Sequence, residues 1–72
     1  MKKTFNLEEL DCAHCAAKME DEIRKLDGVT SASVNFFAQK LILEAEDGRF
    51  DEILASAQKI ISKIEPDCKI VR

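Results

Sequence analysis

The apolar residues of this chain change their spacing as it runs, and that alternation constrains the fold more than any single motif. Apolar positions recurring every second residue mark a half-buried strand, and recurrence at three and four marks one face of a helix. Phe5 and Leu7 show the first spacing, within a strand expected over Lys3 to Leu7, and Glu8 to Ala13 follow as a loop. From His14 to Leu26 the spacing is helical. Cys15, Met19, Ile23 and Leu26 align as one stripe, while Lys18, Glu20, Asp21, Glu22, Arg24 and Lys25 fill the other sides. Asp27-Gly28 ends that helix, because glycine suits a left-handed cap. Val29 to Phe37 reads as a strand with Ala32, Val34 and Phe36 on one face, Ala38-Gln39-Lys40 as a hairpin connection, and Leu41 to Ala45 as the next strand. Beyond a break at Glu46-Asp47-Gly48-Arg49, a second helix from Phe50 to Ile64 presents a broad apolar face. Pro66 stops it, and Lys69-Ile70-Val71 supplies a last short strand.

The order is therefore βαββαβ. Two right-handed crossovers onto one antiparallel sheet give an α+β fold, a ferredoxin-like sandwich with two helices on one face of a four-stranded antiparallel sheet. Seventy-two residues are enough for one domain, 1–72, and leave only a thin core, since a chain this short buries roughly 60% of its unfolded surface. No apolar run approaches the roughly 20 residues that cross a bilayer. Met1-Lys2-Lys3-Thr4-Phe5-Asn6 has no apolar stretch behind its lysines, so it reads as a native N-terminus without a secretory signal.

The net charge of -3, the scattered basic residues and the absence of Trp and Tyr argue against nucleic acid, whose binding is dominated by Lys and Arg on phosphates. Three cysteines, two of them three positions apart, do not make a disulfide framework. The reducing cytoplasm is the expected compartment, and there a close pair reads as a metal or redox site.

That pair lies in Leu10-Asp11-Cys12-Ala13-His14-Cys15-Ala16-Ala17-Lys18. Cysteines at i and i+3, where a loop turns into a helix, can point at one ion with bonds of about 2.3 Å. The unpaired N–H groups and partial positive charge of the helix N-terminus favour thiolate, the form that binds metal. Alternative readings are a thiol-disulfide oxidoreductase and a structural zinc site. The first lacks a proline near the pair, and the second has no further Cys pair, although Cys68, His14 or Asp11 nominally supply ligands.

The segment Leu10 to Ala16, with Leu26-Asp27-Gly28-Val29 and Ala32-Ser33-Val34-Asn35-Phe36 at matching intervals, resembles the heavy-metal-associated domain over essentially the whole chain. That family includes copper metallochaperones and the N-terminal domains of metal-exporting P-type ATPases. The resemblance implies a non-catalytic domain holding one metal ion on Cys12 and Cys15. Family members usually carry Gly-Met before a Thr or Ser and the first cysteine. Here Glu9-Leu10 stand in those places, with Leu10 as the hydrophobic plug under the loop, and Asp11 precedes the pair.

Asp-Cys-x-x-Cys resembles the zinc, cadmium and lead branch of the exporters. Cu(I) is satisfied by two soft thiolates, whereas a divalent ion takes further ligands and accepts a carboxylate. Asp11 is therefore a candidate third ligand, and Zn(II), Cd(II) or Pb(II) are favoured over Cu(I). Asp before a helix also reads as an N-cap. His14 reads as solvent-directed, Lys18 as a solvated side chain and Met19 as core. Cys68 reads as a small buried residue near the same end of the sheet, in the acidic loop Glu65-Pro66-Asp67-Cys68. The implied partners are the transmembrane part of a P-type ATPase or a second metal-transfer domain, with the chain acting as a monomer. A free-standing copper metallochaperone is the competing reading.

Overall fold

In a computed structural model, residues 1–71 are described, and they run as β1 (Lys2–Glu8), α1 (Ala13–Arg24), β2 (Val29–Asn35), β3 (Lys40–Ala45), a 3-10 turn (Asp47–Arg49), α2 (Phe50–Ile64) and β4 (Lys69–Val71). The strands form one antiparallel sheet in the order β2-β3-β1-β4. Both helices lie on one face, as the alternating spacing implied.

The register follows the apolar alternation. Phe5 pairs with Leu41, Val34 with Leu41 and Ala32 with Leu43, so inward side chains share a face across three strands. On β3, Leu41, Leu43 and Ala45 are buried while Ile42 and Glu44 are half-exposed. Met19 and Ile23 of α1 and Ile61 of α2 meet that face with no exposed surface. Burying each such side chain contributes about 1.5–3 kcal/mol. The Phe5 and Phe50 rings lie 6.2 Å apart, tying β1 to the start of α2.

Side chains of the helices bond backbone groups on both edge strands. On β2, Glu20 accepts the Val34 N–H at 2.8 Å, and the Arg24 Nε–H donates to the Ala32 carbonyl at 2.9 Å. On β4, Gln58 Oε1 accepts the Ile70 N–H at 2.8 Å. Filling outward-facing backbone groups in this way blunts strand addition by another chain.

Several boundaries differ from the expected ones: β1 runs one residue further at each end, Lys2–Glu8, and β3 starts at Lys40 rather than Leu41. Helix α1 begins one residue earlier, at Ala13, because the Cys12 side chain caps it. It ends at Arg24 rather than Leu26, where the N–H groups of Lys25 and Leu26 bond back three residues and tighten the last turn. Strand β2 ends at Asn35 rather than Phe37, because Asn35 Oδ1 accepts the Ala38 N–H and Gln39 takes the left-handed conformation at φ 55°. Phe37 consequently stands 95% exposed at the turn tip instead of continuing the strand.

Gly28 is left-handed, at φ 92°, as its position after the helix demands. A Cβ there would meet Ile53 Cδ1 at 2.9 Å. Arg49 lies over the same corner, pairing with Asp27 at 3.1 Å and with Glu46 at 3.6 Å.

Candidate metal centre

The direction of the strands brings three connections to one end of the sheet: the segment 9–12 after β1, the turn 36–39, and the segment 65–68 before β4. Hydrogen bonds join them. Leu10 bonds with Gln39, and the Asp11 N–H donates to Glu65 Oε2 at 3.4 Å.

Leu10 is buried to 2% exposure, so it anchors the first loop as the plug expected from the sequence. Reaching that position requires a sharp reversal at Glu9, whose φ is 57°. A left-handed backbone favours glycine, the residue that family members usually carry there. The loop then delivers Cys12 to the first turn of α1.

Cys12 itself is the helix cap. Its Sγ accepts the Cys15 N–H at 3.2 Å, in extended backbone geometry at φ -132°. The sulfur thus takes the capping role that the sequence also suggested for Asp11. Cys12 and Cys15 are both half-buried free thiols.

Their protonation is unequal. The Cys15 thiol and backbone N–H, joined by the His14 N–H, stabilise a thiolate on Cys12 and hold its pKa below the ordinary value. Cys15 is pushed up to about 11, first by the hydrogen bond its thiol donates to the Cys12 sulfur, then by burial, the charge of Cys12 and the nearby Glu65. The helix start therefore favours thiolate at Cys12 over Cys15.

Among the described residues, ligand atoms of Cys12, Cys15 and Glu65 lie within 4.8 Å of one another. Neighbouring ligands of a tetrahedral zinc ion are roughly 3.5 Å apart when bonds are about 2.0–2.3 Å, so the trio needs only a small contraction to close on one ion. Two sulfurs and one carboxylate oxygen make a donor set able to hold a thiophilic metal ion.

Asp11 is exposed, and its carboxylate lies outside that trio. It rims a cleft of about 300 Å³ beside Cys15 together with Glu9, Glu65 and Asp67. His14 and Lys18 are exposed. Cys68 is fully buried, and burial, followed by Glu65, Asp11 and Glu9, pushes its pKa up to about 11. Glu65 went unrecognised in the sequence as part of the cluster. Its sequence signal is the acidic run 65–67, but which of these carboxylates turns toward the sulfurs depends on how α2 ends.

Comparison with known proteins agrees with this architecture. The model of the family "Heavy-metal-associated domain" matches residues 4–69. A "Probable cadmium-transporting ATPase" of Staphylococcus aureus is 33% identical over 90% of this chain, and a "Cadmium, zinc and cobalt-transporting ATPase" of Bacillus subtilis is 29% identical over 92%. The chain spans 9% of the length of either relative. Among solved structures, the N-terminal domain of a potential copper-translocating P-type ATPase from Bacillus subtilis, in the Cu(I)-loaded state, superposes with a TM-score of 0.73 at 25% identity, covering 96% of this chain and 84% of that one. Among the described residues no helix is long and apolar enough to cross a membrane. A loop-to-helix cysteine pair set on this sheet, matched by a family model over nearly its full length, makes the chain a member of the heavy-metal-associated domain family.

Proposed function

We propose that this domain binds one divalent thiophilic ion, Zn(II), Cd(II) or Pb(II), through Cys12 and Cys15, with Glu65 as a third ligand and Asp11 as a fourth. It serves as the cytosolic N-terminal domain of a metal-transporting P-type ATPase, delivering the ion to the transmembrane part or sensing it there. The observation that carries this reading is the Glu65 carboxylate, which lies with both sulfurs inside 4.8 Å. A Cu(I) ion needs no such oxygen, whereas a divalent ion seeks three or four ligands. The names of the relatives, which transport cadmium and zinc, support the same preference.

Transfer follows from exposure. Both sulfurs remain half-exposed at the end of the sheet, so a partner's ligands can reach the ion and displace these in turn. Asp11, on the rim of the same cleft, closes the fourth position by rotation of its side chain and opens it again for the incoming ligand. The domain acts as a monomer, a reading supported by the helix side chains that occupy backbone groups on the edge strands β2 and β4.

The competing reading is Cu(I) on the two sulfurs alone, favoured by the likeness to a domain solved in its Cu(I)-loaded state. Competitive titration with Zn(II), Cd(II), Pb(II) and Cu(I) under reducing conditions separates the two. Affinity for the divalent ions that depends on Glu65 supports the proposal. Divalent binding indifferent to both carboxylates overturns it.

A further inference from the structure

The chain contains two glutamines, and both bond backbone groups in or next to the segments that carry the candidate ligands. Gln39 meets the Leu10 residue as a two-point clamp. Its Oε1 accepts the Leu10 N–H at 3.1 Å, and its Nε2 donates to the Leu10 carbonyl at 2.6 Å. The second Nε2 proton goes to the Phe36 carbonyl at 2.8 Å, and the Gln39 carbonyl accepts the Leu7 N–H at 2.7 Å. Leu10 lies two residues before Cys12, so this amide fixes the stem from which the first sulfur is presented.

Gln58 does the same for the other loop. Its Oε1 accepts the Ile70 N–H at 2.8 Å, and its Nε2 donates to Ser62 Oγ at 2.9 Å and the Cys68 carbonyl at 3.4 Å. Cys68 lies three residues after Glu65, and the Cys68 N–H in turn bonds the Glu65 carbonyl at 3.0 Å. Both side-chain amides are engaged in these hydrogen bonds within the protein, apart from the Cys12, Cys15 and Glu65 cluster. Gln39 also holds a left-handed backbone, at φ 55°, which a side chain adopts only when its surroundings compensate. The clamp supplies that compensation.

We infer that Gln39 and Gln58 are positioning residues that hold the Cys12 and Glu65 loops in register with each other, and so set metal affinity without touching the ion. This rests on the metal-binding reading above. Groups that orient ligands typically change metal affinity by about 10–100-fold when removed.

The test uses Gln39→Asn and Gln58→Met in the full chain, with Cd(II) as the probe. Asparagine tolerates the left-handed backbone as well as any side chain except glycine, yet its amide is one methylene too short for Leu10. Methionine keeps the volume and flexibility of Gln58 without its polar atoms. In the metal-free protein each variant is expected to keep the wild-type thermal midpoint within a few degrees, while hydrogen exchange accelerates at the Leu10 amide in one and at the Ile70 amide in the other. Cd(II) affinity, measured by chelator competition, is expected to fall about tenfold in each. Faster amide exchange with unchanged Cd(II) affinity and dissociation rate would overturn the inference and leave the metal reading standing. A wild-type protein that takes up no Cd(II) would remove both.

Discussion

Glu65 accepts the backbone N–H of Asp11 across 54 residues of sequence, joining the loop after β1 to the loop after α2 at the point where the two cysteines emerge. The bond gives the two carboxylates different expected roles. Glu65 is directed inward and already accompanies the sulfurs, whereas the Asp11 carboxylate is exposed on the rim. Glu65→Gln is expected to weaken Cd(II) and Zn(II) about tenfold, near 1.4 kcal/mol, with Asp11→Asn smaller and Cu(I) little affected by either. Parallel competition titrations of the three proteins read this directly. Equal losses for Cu(I) and the divalent ions would assign both carboxylates a purely electrostatic role.

Proton release provides a second check. Cys15 holds its proton up to about pH 11, so binding an ion to its thiolate expels that proton throughout the neutral range. Apparent Cd(II) affinity is therefore expected to rise with pH by about tenfold per unit for the Cys15 proton. The slope steepens below the lowered pKa of Cys12, where a second proton must leave. Cadmium–thiolate absorbance followed against pH measures it, and a pH-independent affinity would count against thiolate ligation by Cys15.

The same pair affects folding in the metal-free state. Because the folded environment depresses the Cys12 pKa, its stabilisation is present above the unfolded value and is lost as pH falls through the folded one. Cys15, raised to about 11, contributes in the opposite sense, and its contribution disappears only as pH climbs through that value. Urea midpoints of wild type and Cys12→Ser, compared on either side of the Cys12 titration, should converge at the acidic end.

Backbone conformation yields a further expectation, at Glu9 and Gly28. Glu9→Gly relieves a left-handed side chain at φ 57°, a strain of roughly 1–2 kcal/mol that offsets the greater entropy loss of glycine. Its stability should match or slightly exceed wild type. Gly28→Ala combines φ 92° with a Cβ 2.9 Å from Ile53, and a loss of about 1–3 kcal/mol is expected in urea unfolding.

Much of this molecule is legible in its residue order. Leu41, Leu43 and Ala45 announce a strand, and Ile53, Leu54, Ala57 and Ile61 announce a helix, because burial on one face imposes a period that survives in the residue order. Gly28 was readable for the same local reason. Features set by one particular side-chain atom, whether its partner is near or far in sequence, were not. Ala13 belongs to α1 because a cysteine sulfur, rather than the carboxylate of Asp11, caps the helix. Phe37 leaves β2 because Gln39 turns left-handed to clamp Leu10, a partner 29 residues away. Glu65 joins the sulfurs only once α2 and β4 fix the loop between them. Composition and spacing carry none of these three relationships.

The central claim is that Cys12, Cys15 and Glu65 close on a single divalent ion. The most direct measurement is an NMR titration of the reduced protein with Cd(II), following the Cβ signals of both cysteines and the carboxyl carbon of Glu65. Saturation at one equivalent, with all three signals shifting together and binding abolished by Cys12→Ser with Cys15→Ser, is the expected result. Uptake of Cd(II) that survives the double replacement, or that leaves the Glu65 carboxyl signal unmoved, would contradict the account.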